Sequence, residues 1–225
     1  MDFAHLIDPA AAAIVAGGTM LATALRAGRE DSALTLRALG DLLRPAFPAE
    51  TVRGEVAGLA LQIRRDGMLR ARPRHLGDAA FDDATDAMIE ARSIEALYER
   101  HAHHAKARIE RAMRALRTLT MGADLAPVFG LAGTLISLSQ LSSQGIARSM
   151  FLGAISMSVL TTLYGLLLAN FVLGPLARAV ERRSDREEAA RQDILDWLAA
   201  QVRPALPHHA LHAPAGAHAS SREAA

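Results

Sequence analysis

The chain alternates long uncharged stretches with long charged ones. From Leu125 to Ala147 there is no Asp, Glu, Lys or Arg, and from Ser149 to Ala177 there is again none; Arg148 alone interrupts the two. Each stretch exceeds the roughly 20 apolar residues that carry a helix across a bilayer. A third stretch, Pro9 to Leu25, is also uncharged, but it is shorter and rich in Ala and Gly. The pattern therefore predicts three transmembrane helices. Asp8-Pro9 suits the start of the first, with Asp8 as the cap and Pro9 at the first helical position, where a missing N–H costs nothing.

Between Arg26 and Asp124 lies a long polar insertion with sixteen Arg and one Lys against fifteen Asp plus Glu. Leu34, Leu39, Leu42 and Leu43 repeat at helical spacing. The repeat is stronger through Met88, Ile89, Leu97, Ile109, Met113 and Leu116. Arg44-Pro45-Ala46-Phe47-Pro48 and Arg72-Pro73-Arg74 break the pattern. The insertion reads as several helices. Ser142-Ser143-Gln144-Gly145 reads as a turn. The last helix is expected to leave the membrane after Ala177 and to run to about Gln201. From Pro204 onward the Ala, Pro, His and Ser content predicts disorder. The fold class is thus all-α: three transmembrane helices, with a long helical cytoplasmic insertion between the first and second. The expected divisions are a membrane segment over 1–25, a cytoplasmic helical region over 26–124, a channel helix pair with its extension over 125–201, and a tail over 202–225.

Charge adds topology. The insertion and the tail carry nearly all the Arg, and the link between the second and third spans carries Arg148 alone. Positive loops stay on the cytoplasmic side. The insertion and the C-terminal tail are therefore expected in the cytoplasm, and the short link and the N-terminus outside it, in a bacterial inner membrane. The formal net charge of +1 indicates no nucleic-acid partner. With no cysteine, disulfides, thiolate catalysis and Cys-based metal sites are excluded. No nucleophile–base pair can be assembled, so no enzyme activity is expected and no cofactor is implied. His101, His103 and His104, and the tail histidines His208, His209, His212 and His218, lack a metal-site framing.

The chemistry sits in the spans. The second contains Ala126-Pro127-Val128-Phe129-Gly130-Leu131-Ala132-Gly133-Thr134-Leu135. The third contains Leu160-Thr161-Thr162-Leu163-Tyr164-Gly165-Leu166-Leu167-Leu168-Ala169-Asn170, followed by Gly174-Pro175. This pair of motifs resembles the MotA/TolQ/ExbB proton channel family, and within it the MotA branch. The first span, through Ile14-Val15-Ala16-Gly17-Gly18-Thr19, is similar to the second span of MotA proteins. That branch has four spans, so a first span is missing here, through a misplaced start or because the chain is a true three-span member like TolQ and ExbB.

Gly130 and Gly133 permit close helix contact. Thr162, Gly165 and Ala169 share one helical face, and Thr134 and Ser137 fall a turn apart. A Thr hydroxyl offers one donor and two acceptors without charge, or bonds back to its own helix. The resemblance implies that Thr134, Ser137, Thr161, Thr162, Gly165 and Ala169 line a channel, and that Pro127 and Pro175 act as hinge or coupling points. Pro127 also admits a simpler reading as first-turn punctuation. No Asp, Glu or His lies inside the second or third span. A proton relay through a membrane normally needs one. The resemblance supplies it from another chain: a MotB-like single-span, peptidoglycan-binding subunit with a membrane Asp. That subunit would be surrounded by a homo-oligomer, five copies by resemblance, in the lipid bilayer.

The resemblance also implies a flagellar rotor protein as a further partner. Its contact candidates here are Arg64, Arg65 and Arg72, although the family carries a Glu where Arg72 stands. The implied function is an ion-driven flagellar stator. The alternatives are an ExbB/TolQ-type energiser of outer-membrane transport or envelope integrity, and a non-conducting membrane scaffold.

Overall fold

The computed structural model describes residues 8–70, 77–139 and 148–205, with the side chains of residue 69, of 148–152 and of 154 excepted. Among the described residues the secondary structure is helical throughout, with no strand. The α helices are α1 (Pro9–Leu42), α2 (Ala49–Asp66), α3 (Ala79–Ala91), α4 (Ile94–Ser139), α5 (Arg148–Leu167) and α6 (Gly174–Val202); a six-residue π-helical turn, Leu168–Leu173, joins the last two. Three stretches are long and apolar enough to cross a membrane, within Pro9–Leu42, Ile94–Ser139 and Ile155–Ala205. The protein is an all-α membrane protein.

The helix ends follow local chemistry. The Asp8 carboxylate accepts from the N–H groups of Ala10 (2.8 Å) and Ala11 (3.2 Å), with Pro9 in the first turn as expected. The helix that carries the first span does not end with the uncharged stretch at Leu25. The helix continues to Leu42 across a break at Gly28, whose φ of 81° falls where glycine alone is unstrained. The chain then leaves the helix around Arg44–Pro48, where the prolines remove donors and bar the α conformation ahead of them. Gly67, with φ 76°, ends α2, and its N–H reaches the Ile63 carbonyl. Asp78 caps α3 through the N–H groups of Ala80 and Phe81. The second break, at Arg72-Pro73-Arg74, and the turn at Ser142–Gly145 lie outside the described residues, as does the tail beyond Ala205; the first residues assigned to the tail are helical instead, with Val202 buried at the end of α6 and Arg203–Ala205 in a 3-10 turn. The final helix, expected to reach about Gln201, ends at Val202.

The chain folds as two compact units, Met1–Ala46 with Arg108–Arg186, and Phe47–Ala107 with Glu187–Ala225. In the second, Val52, Val56, Leu59 and Ile63 of α2 recur every three or four residues. They meet Phe81 and Met88 of α3, Leu97 of α4, and Leu195, Leu198 and Val202 of α6 in one buried core. Polar groups frame that core. His101 is buried and lies 3.1 Å from Glu188, and the Tyr98 hydroxyl donates to Asp196 at 2.8 Å. Arg191 stacks over Phe47 between the carboxylates of Asp78 and Glu187.

In this same unit His104 lies 2.7 Å from Asp83. That hydrogen bond, and next the Arg100 charge, hold the Asp83 carboxyl below its ordinary range. A carboxylate depressed in the folded state adds stability above its unfolded pKa, and that stability is lost as pH falls through the folded value. Asp83 is well exposed, so screening keeps the contribution below about 1 kcal/mol. Asp83→Asn should therefore lower the melting midpoint by about 2 °C at neutral pH. It should leave the midpoint unchanged in strong acid, where the wild type has already lost the interaction. An equal shift at both pH values would show that the pair contributes nothing electrostatic.

The other unit holds the spans. Leu39 and Leu42 of α1 pack with Ala115 and Leu119 of α4 and with Ala177 and Val180 of α6. The Arg114 guanidinium donates to Asp31 (2.5 Å) and Glu30 (3.3 Å) of α1. Arg183 donates to the carbonyls of Arg44 and Pro45 just past the end of α1, which the finished helix leaves without partners of its own.

Candidate functional site: a glycine seam between the last two spans

Small residues on α4 recur as Ala126, Gly130, Gly133 and Ser137, which is one helical face. On the following helix Thr161, Gly165 and Ala169 do the same. The two faces meet with almost no side chain between them. A Cβ placed on Gly165 would stand 2.6 Å from the Ala126 carbonyl oxygen, 3.1 Å from the Gly130 Cα and 3.2 Å from the Pro127 Cα. One on Gly130 would stand 2.9 Å from the Thr161 carbonyl oxygen, and one on Gly133 2.8 Å from the Thr161 Cβ. Between membrane helices, where no hydrophobic force draws helices together, such backbone approach supplies the dispersion contact.

The candidate residues divide by position. Thr161, Ser137, Gly165 and Ala169 are buried in the seam; Thr134 and Thr162 are half-buried at its margin. Every one of these hydroxyls donates to its own helix: Thr134 to Leu131 (2.7 Å), Ser137 to Gly133 (2.9 Å), Thr161 to Ser158 (3.0 Å) and Thr162 to Ser158 (3.3 Å). The bland expectation for Thr161 and Thr162, back-bonding, is thus observed. It has a chemical consequence at the margin. With its proton committed to a carbonyl, a hydroxyl presents lone pairs outward and acts as an acceptor.

Pro127 lies inside α4, so the first-turn reading does not hold. It has no N–H for the carbonyl four residues back, and it faces Gly165 across the seam. Pro175 is accommodated differently. The turn before it widens to the π form, and the Gly174 N–H reaches back five residues to Ala169. A π turn absorbs a missing donor without breaking the helix. Arg64 and Arg65 are exposed at the end of α2, where Arg64 donates to Gln201 at 3.2 Å. Arg72 lies outside the described residues. Among the described residues no group of three or more His, Cys, Asp or Glu is placed to hold a metal ion.

Several contacts were not read from the sequence. The Tyr164 hydroxyl accepts from the Asp8 N–H at 3.1 Å, tying α5 to the start of α1. Gly18 lies against the Phe129 ring, where a Cβ would overlap it. A glycine there permits the close approach, but nothing in the local sequence names Phe129 as its partner. Across α4 and the helix after it, Val128, Leu131, Leu135, Val159, Leu166 and Phe171 stay exposed in the single chain.

Fold and seam together define a membrane protein whose last two spans form one tightly packed wall with no acid of its own. The chain belongs to the MotA/TolQ/ExbB proton channel family, whose family model matches residues 72–193. It is similar to Motility protein A of Cereibacter sphaeroides, 25% identical over 72% of this chain and 64% of that one. It is also similar to the chemotaxis protein PomA of Vibrio alginolyticus, 22% identical over 86% of this chain and 77% of that one. The chain thus spans just under two thirds of the first relative and about three quarters of the second. Among solved structures, the flagellar MotAB stator complex from Bacillus subtilis contains a chain of the same fold, with TM-score 0.76, 22% identity, and coverage of 90% of this chain and 81% of that one. The C. jejuni MotAB structure contains another, with TM-score 0.75, 15% identity, and coverage of 88% and 79%.

Proposed function

We propose that this chain is the ring-forming subunit of an ion-driven stator, which turns proton flow across the inner membrane into torque on a flagellar rotor. One observation carries the reading: two spans locked together by glycines, with hydroxyl acceptors at the margin and no ionisable group inside either. A wall of that kind needs a proton carrier from a second chain. The MotAB complexes that share the fold pair such a chain with MotB. By the same reading, a single-span partner with a membrane Asp stands against Thr134 and Thr162, whose oxygens accept from the protonated acid. The exposed apolar positions of α4 and α5 then face further copies of the chain or lipid. Arg64, Arg65 and Arg72 are the groups offered to the rotor, and the insertion lies in the cytoplasm, on the side the positive charges favour. The motility names of the relatives favour this reading over an energiser of outer-membrane transport.

Deletion of the gene tests it. Cells should keep their flagellar filaments and lose swimming, and the wild-type gene should restore it. Normal swimming together with a defect in envelope transport would overturn the stator reading.

A further inference from the structure

The part of α1 beyond Gly28 has two faces. Leu39 and Leu42 pack inward, and Thr35 is buried with them. The opposite face carries Arg29, Ala33, Leu36, Arg37 and Gly40, spaced by three or four residues and all exposed, and the turn that follows α1 adds the exposed Leu43 and Arg44. Leu36 is 70% exposed and Leu43 91%. Such exposure on large apolar side chains marks a surface that meets something other than water. Met20, Leu21 and Leu25 are likewise exposed, on the first membrane-spanning segment ahead of the break at Gly28.

The charges point the same way. The acids of this stretch are already engaged: Asp31 and Glu30 by Arg114, and Asp41 by Arg44. Arg26, Arg29 and Arg37 are exposed and make no ion pair among the described residues. The stripe is therefore apolar and cationic at once, and it begins where the helix leaves the hydrocarbon. Leucines at the acyl boundary with arginines at headgroup level are the physical signature of a helix lying in the interface of an anionic leaflet.

We infer that the second half of α1 is an interfacial helix that binds anionic phospholipid headgroups through Arg29 and Arg37, joined by Arg26 just ahead of the break, with Leu36 and the C-capping Leu43 set into the acyl boundary. The break at Gly28 supplies the change of direction between the spanning and interfacial parts. The inference does not depend on ion conduction or on a rotor.

The chain has no cysteine, so single spin labels can be placed cleanly. The full chain labelled at L36C or L43C is reconstituted in nanodiscs with phosphatidylglycerol, and L21C serves as the membrane reference. Labels at 36 and 43 should be relaxed by oxygen in preference to an aqueous nickel chelate, as the label at 21 is. Native mass spectrometry of the detergent-released chain should show phosphatidylglycerol retained. The R26Q/R29Q/R37Q variant should weaken that retention by about fivefold per arginine, and the matching lysine variant should restore most of it. Labels open to the aqueous chelate, or shielded from both reagents as a second copy of the chain would shield them, would overturn the inference. So would retention that ignores the loss of all three arginines.

Discussion

Replacing Gly165 by valine should unlock the last two spans and abolish swimming. The nearest atoms to a Cβ at this site are a carbonyl oxygen at 2.6 Å and two Cα atoms at 3.1 and 3.2 Å. None can rotate away, because all are backbone. A branched side chain must therefore drive the helices apart along the contact that holds them. Overpacking of this kind costs about 1–3 kcal/mol, and more when no side chain can yield. The measurement is the melting midpoint of the purified chain beside a swimming assay in the deletion strain. Gly153→Ala is the control, since a Cβ there meets nothing within 4 Å. A Gly165→Val protein that melts and swims like wild type would show that the seam holds nothing together.

Removing the Thr162 hydroxyl should slow ion flow without disturbing assembly. Valine keeps the shape of threonine and deletes the oxygen. Thr162 is half-buried at the margin of the seam, and its proton is already given to Ser158. On the proposed reading, the variant loses one acceptor for the partner's protonated acid. An unmet hydrogen bond to a protonated acid is worth about 1–1.5 kcal/mol, close to a tenfold drop in flux. Thr161→Val should leave flux within about twofold, because that side chain is fully buried against Gly133. Flux measured for both variants with the partner present decides the matter. Equal losses at the two positions, or none at either, would remove Thr162 from the path.

The spans were legible because lipid imposes a strict rule, and two uncharged stretches with Arg148 between them satisfy it plainly. The seam was half legible. Gly130 and Gly133 announce close contact while Gly165 reads as channel-lining, because spacing along one helix cannot say which residue faces a neighbour and which a pore. Thr161 and Thr162 are adjacent in sequence and have different surroundings in the fold, a difference that only the packing of α4 against α5 creates. The continuation of α1 past Leu25 was obscured by Arg26, Gly28 and Arg29. Charge ends a membrane span without ending a helix, and the break at Gly28 is a backbone feature. The π turn ahead of Pro175 left no trace in periodicity, since widening one turn alters hydrogen bonding and not composition. The polar contacts of the second unit, Arg191 with Asp78 and His101 with Glu188, join residues about 90 to 110 positions apart, beyond the reach of any local pattern.

The central claim is that this chain forms the wall of an ion path whose acid belongs to another subunit. Ion flux into proteoliposomes tests it most directly. Three preparations are compared: this chain alone, this chain with its single-span partner, and this chain with a partner whose membrane Asp is replaced by Asn. The account predicts flux from the second preparation and background from the other two. Flux from the chain alone, or flux unchanged when the partner's Asp is neutralised, would contradict it.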